Sequence, residues 1–211
     1  MPSITPTITG PIITPATRWA RPLSLLAAIL TVLSQLLRLA DGLLGSDSAA
    51  TVTHTLIYAL SLLGMGTLML ALTALYAVGR GAMGKRGLIG YLAAFLGTLL
   101  VAGDWWFEAF VVPTIDERAP DLLDGTIGGS ILAGAVATIA LYSIGWVLFG
   151  LASLRAQTMP RPAAALLIVG GLVGPLALTT PYQIPLAVGI GWAGLAMKRD
   201  APGSQRLPAS R

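Results

Sequence analysis

Residues 103–113, GDWWFEAFVVP, decide how this chain reads, because an apolar run ends there in two carboxylates, two tryptophans and a proline. Asp104 and Glu108 are four residues apart, so on a helix they share one face. Trp105, Trp106, Phe107 and Phe110 are the amphipathic rings expected where a membrane helix passes from hydrocarbon into headgroups. The stretch therefore reads as the outer end of a membrane-spanning helix, and the rest of the chain sorts into further spans, basic turns and an acidic edge.

Composition agrees. Of 211 residues, 55% are hydrophobic and 10% charged, whereas a soluble domain carries about 25% charged residues. Helices of about 20 apolar residues joined by short loops pack such a chain into one bundle. The expected organisation is a membrane domain over residues 18–199 between cytoplasmic tails at 1–17 and 200–211. The first tail is rich in Thr, Pro and Ile and has no charged side chain, so it lacks the basic region that opens a secretory signal. A net charge of +4 does not point to nucleic acid, since Lys and Arg lie between apolar runs rather than on a solvated face. The chain has no cysteine and one histidine, His54. Disulfides and thiolate sites are excluded, and a histidine metal site within one protomer is disfavoured. No cofactor or metal is expected. His54 has no serine-centred motif such as G-x-S-x-G to serve, so an enzyme is not expected either.

Working outward from 103–113, six apolar runs appear: Pro22 to Leu37, Thr55 to Val78, Leu88 to Phe110, Ile127 to Leu154, Ala163 to Thr180 and Tyr182 to Met197. Arg38 interrupts the first, and Pro175 after Gly174 is expected to kink the fifth. Charge tests the count. With the amino terminus inside, 11 of the 13 basic residues fall on inner segments (Arg18, Arg21, Arg80, Lys85, Arg86, Arg155, Arg161, Lys198, Arg199, Arg206, Arg211), leaving Arg38 and Arg118 outside. The positive-inside rule then gives an all-α integral membrane protein, a six-transmembrane-helix bundle with both termini cytoplasmic. Arg21-Pro22-Leu23, Arg86-Gly87-Leu88 and Arg161-Pro162-Ala163 each launch an outward helix. The second and fourth helices each carry a Leu-Tyr pair (Leu75-Tyr76, Leu141-Tyr142), placed in their inner halves. Three helical hairpins related by duplication would explain this; shared Ala/Leu composition explains it nearly as well.

Two glycine patterns need weighing. Gly79 to Lys85, GRGAMGK, matches phosphate-loop and dinucleotide spacings, but no strand precedes it and Arg86 stands where a phosphate loop needs Ser or Thr. A short inner turn is the better reading. Gly90, Gly97 and Asp104 recur every seven residues, a stripe narrow enough for a neighbouring backbone. Gly129 with Ala133, and Ser130 with Gly134, give small-xxx-small spacing on the fourth helix, read as internal packing before a dimer contact.

Chemistry-bearing residues gather at the outer edge: Gln35, Arg38, His54, Asp104 and Glu108, with Thr179, Thr180, Tyr182 and Gln183 at the same level. Three readings compete, in this order: a structural ion-pair network with Arg38 against Asp104 or Glu108, an outward ligand or proton site, and a metal site from His54 and the two acids. Beyond them, Thr114-x-x-Glu117 has capping-box spacing and Asp121-Leu-Leu-Asp suits a short helical turn.

The run from Leu88 through Gly125, with GYLAAFLGTLLVAGDWWFEAFVVP and the acidic APDLLDG, resembles small uncharacterised multi-pass membrane proteins of high-GC bacteria. That resemblance covers the first four helices. It implies a six-helix bundle in a bacterial cytoplasmic membrane and no particular activity. The function expected is that of a structural, accessory or interaction protein, with membrane lipids and a homo-oligomer or a membrane protein as partners. A small-solute transporter or outer-face ligand-binding protein is the alternative.

Overall fold

The computed structural model of the chain describes residues 15–44, 49, 51–123, 128–173 and 182–197. The second tail, residues 1–14 of the first, Asp47, Asp124, the Gly174-Pro175 kink, and Thr179 and Thr180 lie outside the described residues. Among those described, the regular structure is entirely helical: α1 (Pro15–Leu44), α2 (Val52–Phe110), α3 (Val112–Arg118), α4 (Gly129–Ala156), α5 (Arg161–Leu172) and α6 (Ile184–Ala196), with a 3-10 turn at Pro120–Leu122. By length and composition α1, α2 and α4 are apolar enough to cross a membrane. The described parts of α5 and α6, at 12 and 13 residues, are shorter than the about 20 residues a span requires.

At 59 residues, α2 would run about 89 Å if straight, some three times a bilayer's hydrocarbon core. It does not run straight. Gly84 adopts φ 57° and ψ −153°, a conformation essentially reserved for glycine, and it turns the helix back on itself. His54 approaches Glu108, Tyr58 packs near Trp105 and Tyr76 stacks on Tyr91, pairings that only an antiparallel hairpin can make. The two arms, residues 52–83 and 85–110, are called α2a and α2b below. The expected loop between second and third spans is thus a one-residue reversal; Ala82, Met83, Lys85 and Arg86 favour helix on both sides of it. The first helix is also longer than the apolar run expected. It starts at Pro15, a residue suited to a first helical turn, and continues past Arg38, whose straight-chain stem is a good helix former.

Each rod packs antiparallel on the next. Thr31 of α1 meets Gly64 of α2a, Gly90 of α2b meets Phe149 of α4, Gly150 of α4 meets Ile168 of α5, and Gly170 of α5 meets Leu186 of α6. Gly191 and Gly194 of α6 then meet Ala28 and Ser24 of α1, which closes the six rods into a ring. Its interior is filled by Leu68, Leu72, Trp146, Phe149, Leu167, Leu186 and Ile190, all fully buried. Burying such side chains stabilises by about 1.5–3 kcal/mol each relative to water; against lipid, the gain comes from close packing instead.

The tightest seam joins α2b to α4. A Cβ on Gly97 would strike the backbone of Tyr142, one on Gly145 the backbone of Ala94, and one on Gly90 would come to 2.6 Å from the Phe149 nitrogen. Gly90 and Gly97 are thus the narrow stripe that their sequence spacing indicates. Gly129, Ser130, Ala133 and Gly134 are a correction: all four are exposed, and Gly134 has nothing within 4 Å of where its Cβ would lie. This half of α4 lies beyond its contact with Gly97, and among the described residues Gly134 finds no close neighbour there.

The antiparallel ring sets Arg18, Arg21, Arg80, Lys85, Arg86, Arg155 and Arg161 at one end of the bundle. Asp41, Asp104, Glu108, Asp116, Glu117 and Asp121 lie at or toward the other. Leu75-Tyr76 and Leu141-Tyr142 do not occupy equivalent places: Tyr76 lies close to the Gly84 turn, whereas Tyr142 lies midway along α4. That difference removes one of the supports for three duplicated hairpins.

Candidate functional site

The acidic end of the bundle collects side chains from five rods, α4 contributing Tyr142. α1 brings Gln35 and Arg38, α2a brings His54 and Tyr58, α2b brings Asp104, Trp105 and Glu108, and the turn entering α6 brings Tyr182 and Gln183. Position on each helix explains the grouping. His54 and Tyr58 are one turn apart on α2a, and Asp104, Trp105 and Glu108 lie within about one turn of α2b, facing back toward it.

Arg38 organises the cluster. Its guanidinium carbon lies 4.2 Å from the Trp105 ring centre and 5.0 Å from that of Tyr58, a cation–π arrangement worth about 0.5–2 kcal/mol depending on desolvation. Asp104 and Glu108 are its electrostatic neighbours, but neither approaches to contact. The expected Arg38 ion pair with Asp104 or Glu108 is therefore corrected. Glu108 instead approaches His54, whose Nε2 lies 3.9 Å from Glu108 Oε2. The same Nε2 lies 3.1 Å from the Glu108 carbonyl, where His54 satisfies one of the backbone acceptors left open at the end of α2b. Helix rotation gives the reason for the altered pairing: Trp105 falls on the buried stripe with Thr98, Ala102 and Ala109 and meets Arg38 first, while Asp104 is exposed.

Trp105 is a second correction. Its sequence position predicts a place in the headgroup belt with Trp106, Phe107 and Phe110. Those three are exposed, at 52%, 44% and 49%, but Trp105 is 4% exposed and lies beneath the guanidinium.

Below Arg38, Gln35 is fully buried and donates from Nε2 to Gln183 Oε1 at 2.9 Å; Gln183 Nε2 in turn donates to the Tyr182 hydroxyl at 3.0 Å. This bond ties the first rod to the last and brings Tyr182 and Gln183 to the level assigned them from sequence. The site also includes Tyr58 and Tyr142, which sequence reasoning misses. Tyr58 had a readable signal, four residues after His54 on one face. Tyr142 had none, since its place beside Gly97 depends on the α2b–α4 register. Several buried polar atoms here have no hydrogen-bond partner among the described residues: Arg38 Nη1, Trp105 Nε1, Tyr142 OH and Gln35 Oε1. Three of the four can donate a hydrogen bond, so the cluster favours an acceptor.

Deeper in the bundle, Trp146 Nε1 donates to Thr98 Oγ1 at 3.2 Å, and that hydroxyl donates to the Ala94 carbonyl at 2.7 Å. No described group of three or more His, Asp or Glu side chains is placed to hold a metal ion. Past the site, Thr114 does not cap α3. The helix begins at Val112 with Pro113 in its first turn, placing Thr114 inside; Asp121 falls in the 3-10 turn.

Comparison with known proteins returns no matching family model, curated protein or solved structure.

Proposed function

We propose that this chain is a six-span protein of a bacterial cytoplasmic membrane, with both termini and the Gly84 turn on the cytoplasmic side. Its role is structural or accessory, presenting surfaces to lipid and to membrane partners. The observation that carries this reading is the closed antiparallel ring with a filled interior, in which Trp146, Phe149, Leu68 and Leu186 occupy the axis a solute would need. The gathering of basic residues at one end supports the orientation. Because the chain has no cysteine, single cysteines report topology directly. With a membrane-impermeant maleimide on intact cells, Thr114→Cys is expected to label and Lys85→Cys to label only after permeabilisation. Labelling of Lys85→Cys in intact cells would overturn the orientation.

A second reading rests on the unpartnered donors Arg38 Nη1, Trp105 Nε1 and Tyr142 OH: an outer-face site for a small acceptor-bearing solute. Native mass spectra of the purified protein decide it. A retained small molecule that is lost in Arg38→Gln favours the binding role, and a bare protein mass favours the structural one.

A further inference from the structure

At the opposite end of the bundle, a groove of about 160 Å³ lies between α2b and α4, lined by Arg86, Ile89, Leu148, Leu151, Ala152 and Arg155. We propose that it is an anionic-phospholipid site, with the lipid phosphate between Arg86 and Arg155 and an acyl chain along the apolar wall. This rests on the membrane-spanning reading above.

Register places the two arginines together. Gly90 lies against Phe149, so Arg86, one turn nearer the basic end, stands level with residue 153; Arg155 is two residues beyond, about 3 Å in height. Both side chains are exposed. Neither forms an ion pair with a carboxylate among the described residues, and no Asp or Glu occurs in residues 79–103 or 125–199. The nearest acids on their own helices, Asp104 and Glu108, lie at the far end of α2b, about 27 Å along the axis from Arg86. Below them the wall turns apolar within one helical turn, with Ile89 59% and Leu148 37% exposed. Two guanidiniums above such a wall match a phosphodiester above its acyl chain. Guanidinium forks bind phosphate oxygens in pairs, and basic pockets between helices on the cytoplasmic side suit anionic headgroups. A headgroup of net negative charge fits better than a choline, whose ammonium would meet the same arginines.

The test is a native mass spectrum of the full chain in neutral detergent with equimolar phosphatidylglycerol and phosphatidylcholine of identical chains. We expect retained phosphatidylglycerol to exceed phosphatidylcholine roughly fivefold or more, the preference contributed by one basic residue near a surface. Arg86→Gln with Arg155→Gln should bring the two lipids near parity, while Arg161→Gln, outside the groove, should keep the preference. Parity in the unaltered protein, or an equal loss in Arg161→Gln, overturns the site. Should the double variant fail to fold, two other arms decide. Ile89→Trp, which fills the groove without changing charge, should reduce bound phosphatidylglycerol severalfold, and glycerol phosphate, which has no acyl chain, should not displace the lipid. Undiminished binding in Ile89→Trp, or full displacement by glycerol phosphate, refutes a lipid seated in the groove. Failure of the protein to stay with membranes through alkaline washing would refute the membrane reading instead, a result separate from loss of lipid preference in a protein that remains there.

Discussion

Replacing Gly97 with alanine is the most direct challenge to the α2b–α4 seam. The new Cβ would strike the amide nitrogen and Cα of Tyr142 and the carbonyl carbon of Leu141. All three are backbone atoms, so no side-chain rotation relieves the clash and the helices must separate. Restoring ordinary carbon contact requires about 1 Å of separation, enough to forfeit a quarter to a half of the dispersion energy at each lining contact. The Trp146–Thr98 hydrogen bond, already 3.2 Å long, would pass out of range. Overpacking costs about 1–3 kcal/mol, and the lost hydrogen bond about 0.5–1.5 kcal/mol net. Against these stands a helix-propensity gain of about 1 kcal/mol for exchanging glycine for alanine, leaving a net loss of about 2 kcal/mol. Gly134→Ala is the matched control, since its Cβ meets nothing and only the propensity gain applies. Unfolding in mixed micelles, followed by tryptophan fluorescence, measures both. Equal stability of Gly97→Ala and Gly134→Ala would refute the backbone-contact account of this seam.

Two other perturbations test separate parts of the molecule. Gly84→Ala forces an L-residue into φ 57°, ψ −153°, at a cost of about 1–3 kcal/mol, whereas Gly81→Ala in open space should be harmless; the same micelle titration reads both. At the acidic end, a double-mutant cycle of Arg38→Gln with Trp105→Leu should show coupling of about 0.5–2 kcal/mol, and the cycle of Arg38→Gln with Asp104→Asn should show less. The reverse order would restore the ion pair that the sequence favoured.

Helix identity was legible in this sequence because period, length and hydrophobicity act locally. The charge sorting was legible for the same reason, and Gly90 and Gly97 announced a close neighbour through spacing alone. Rotation between helices was not legible. A difference of one residue, or about 100°, decides whether Trp105 or Trp106 enters the interior, and the sequence treats the two alike. Arg38 offers the same lesson: depth along the axis put it level with Asp104 and Glu108, but azimuth gave it the faces of Trp105 and Tyr58. The partner of Gly97 was likewise hidden, since nothing in the spacing of α4 distinguishes Gly145, which meets Ala94 of α2b, from Gly134, whose Cβ position has nothing within 4 Å.

The reversal at Gly84 also bears on how this chain tolerates changes in its length. Connections of several residues, such as 111–128, can absorb an inserted or deleted residue by re-forming the loop. A turn of one residue has no slack. Adding a residue on either side of it would rotate one arm by about 100° and slide it by about 1.5 Å. His54 would then miss Glu108, and Arg38 would be left against a different face of α2b. Length variation among descendants of this sequence is therefore expected at the acidic end and excluded from the Gly84 turn, although glycine-rich turns are ordinarily where chains vary most freely.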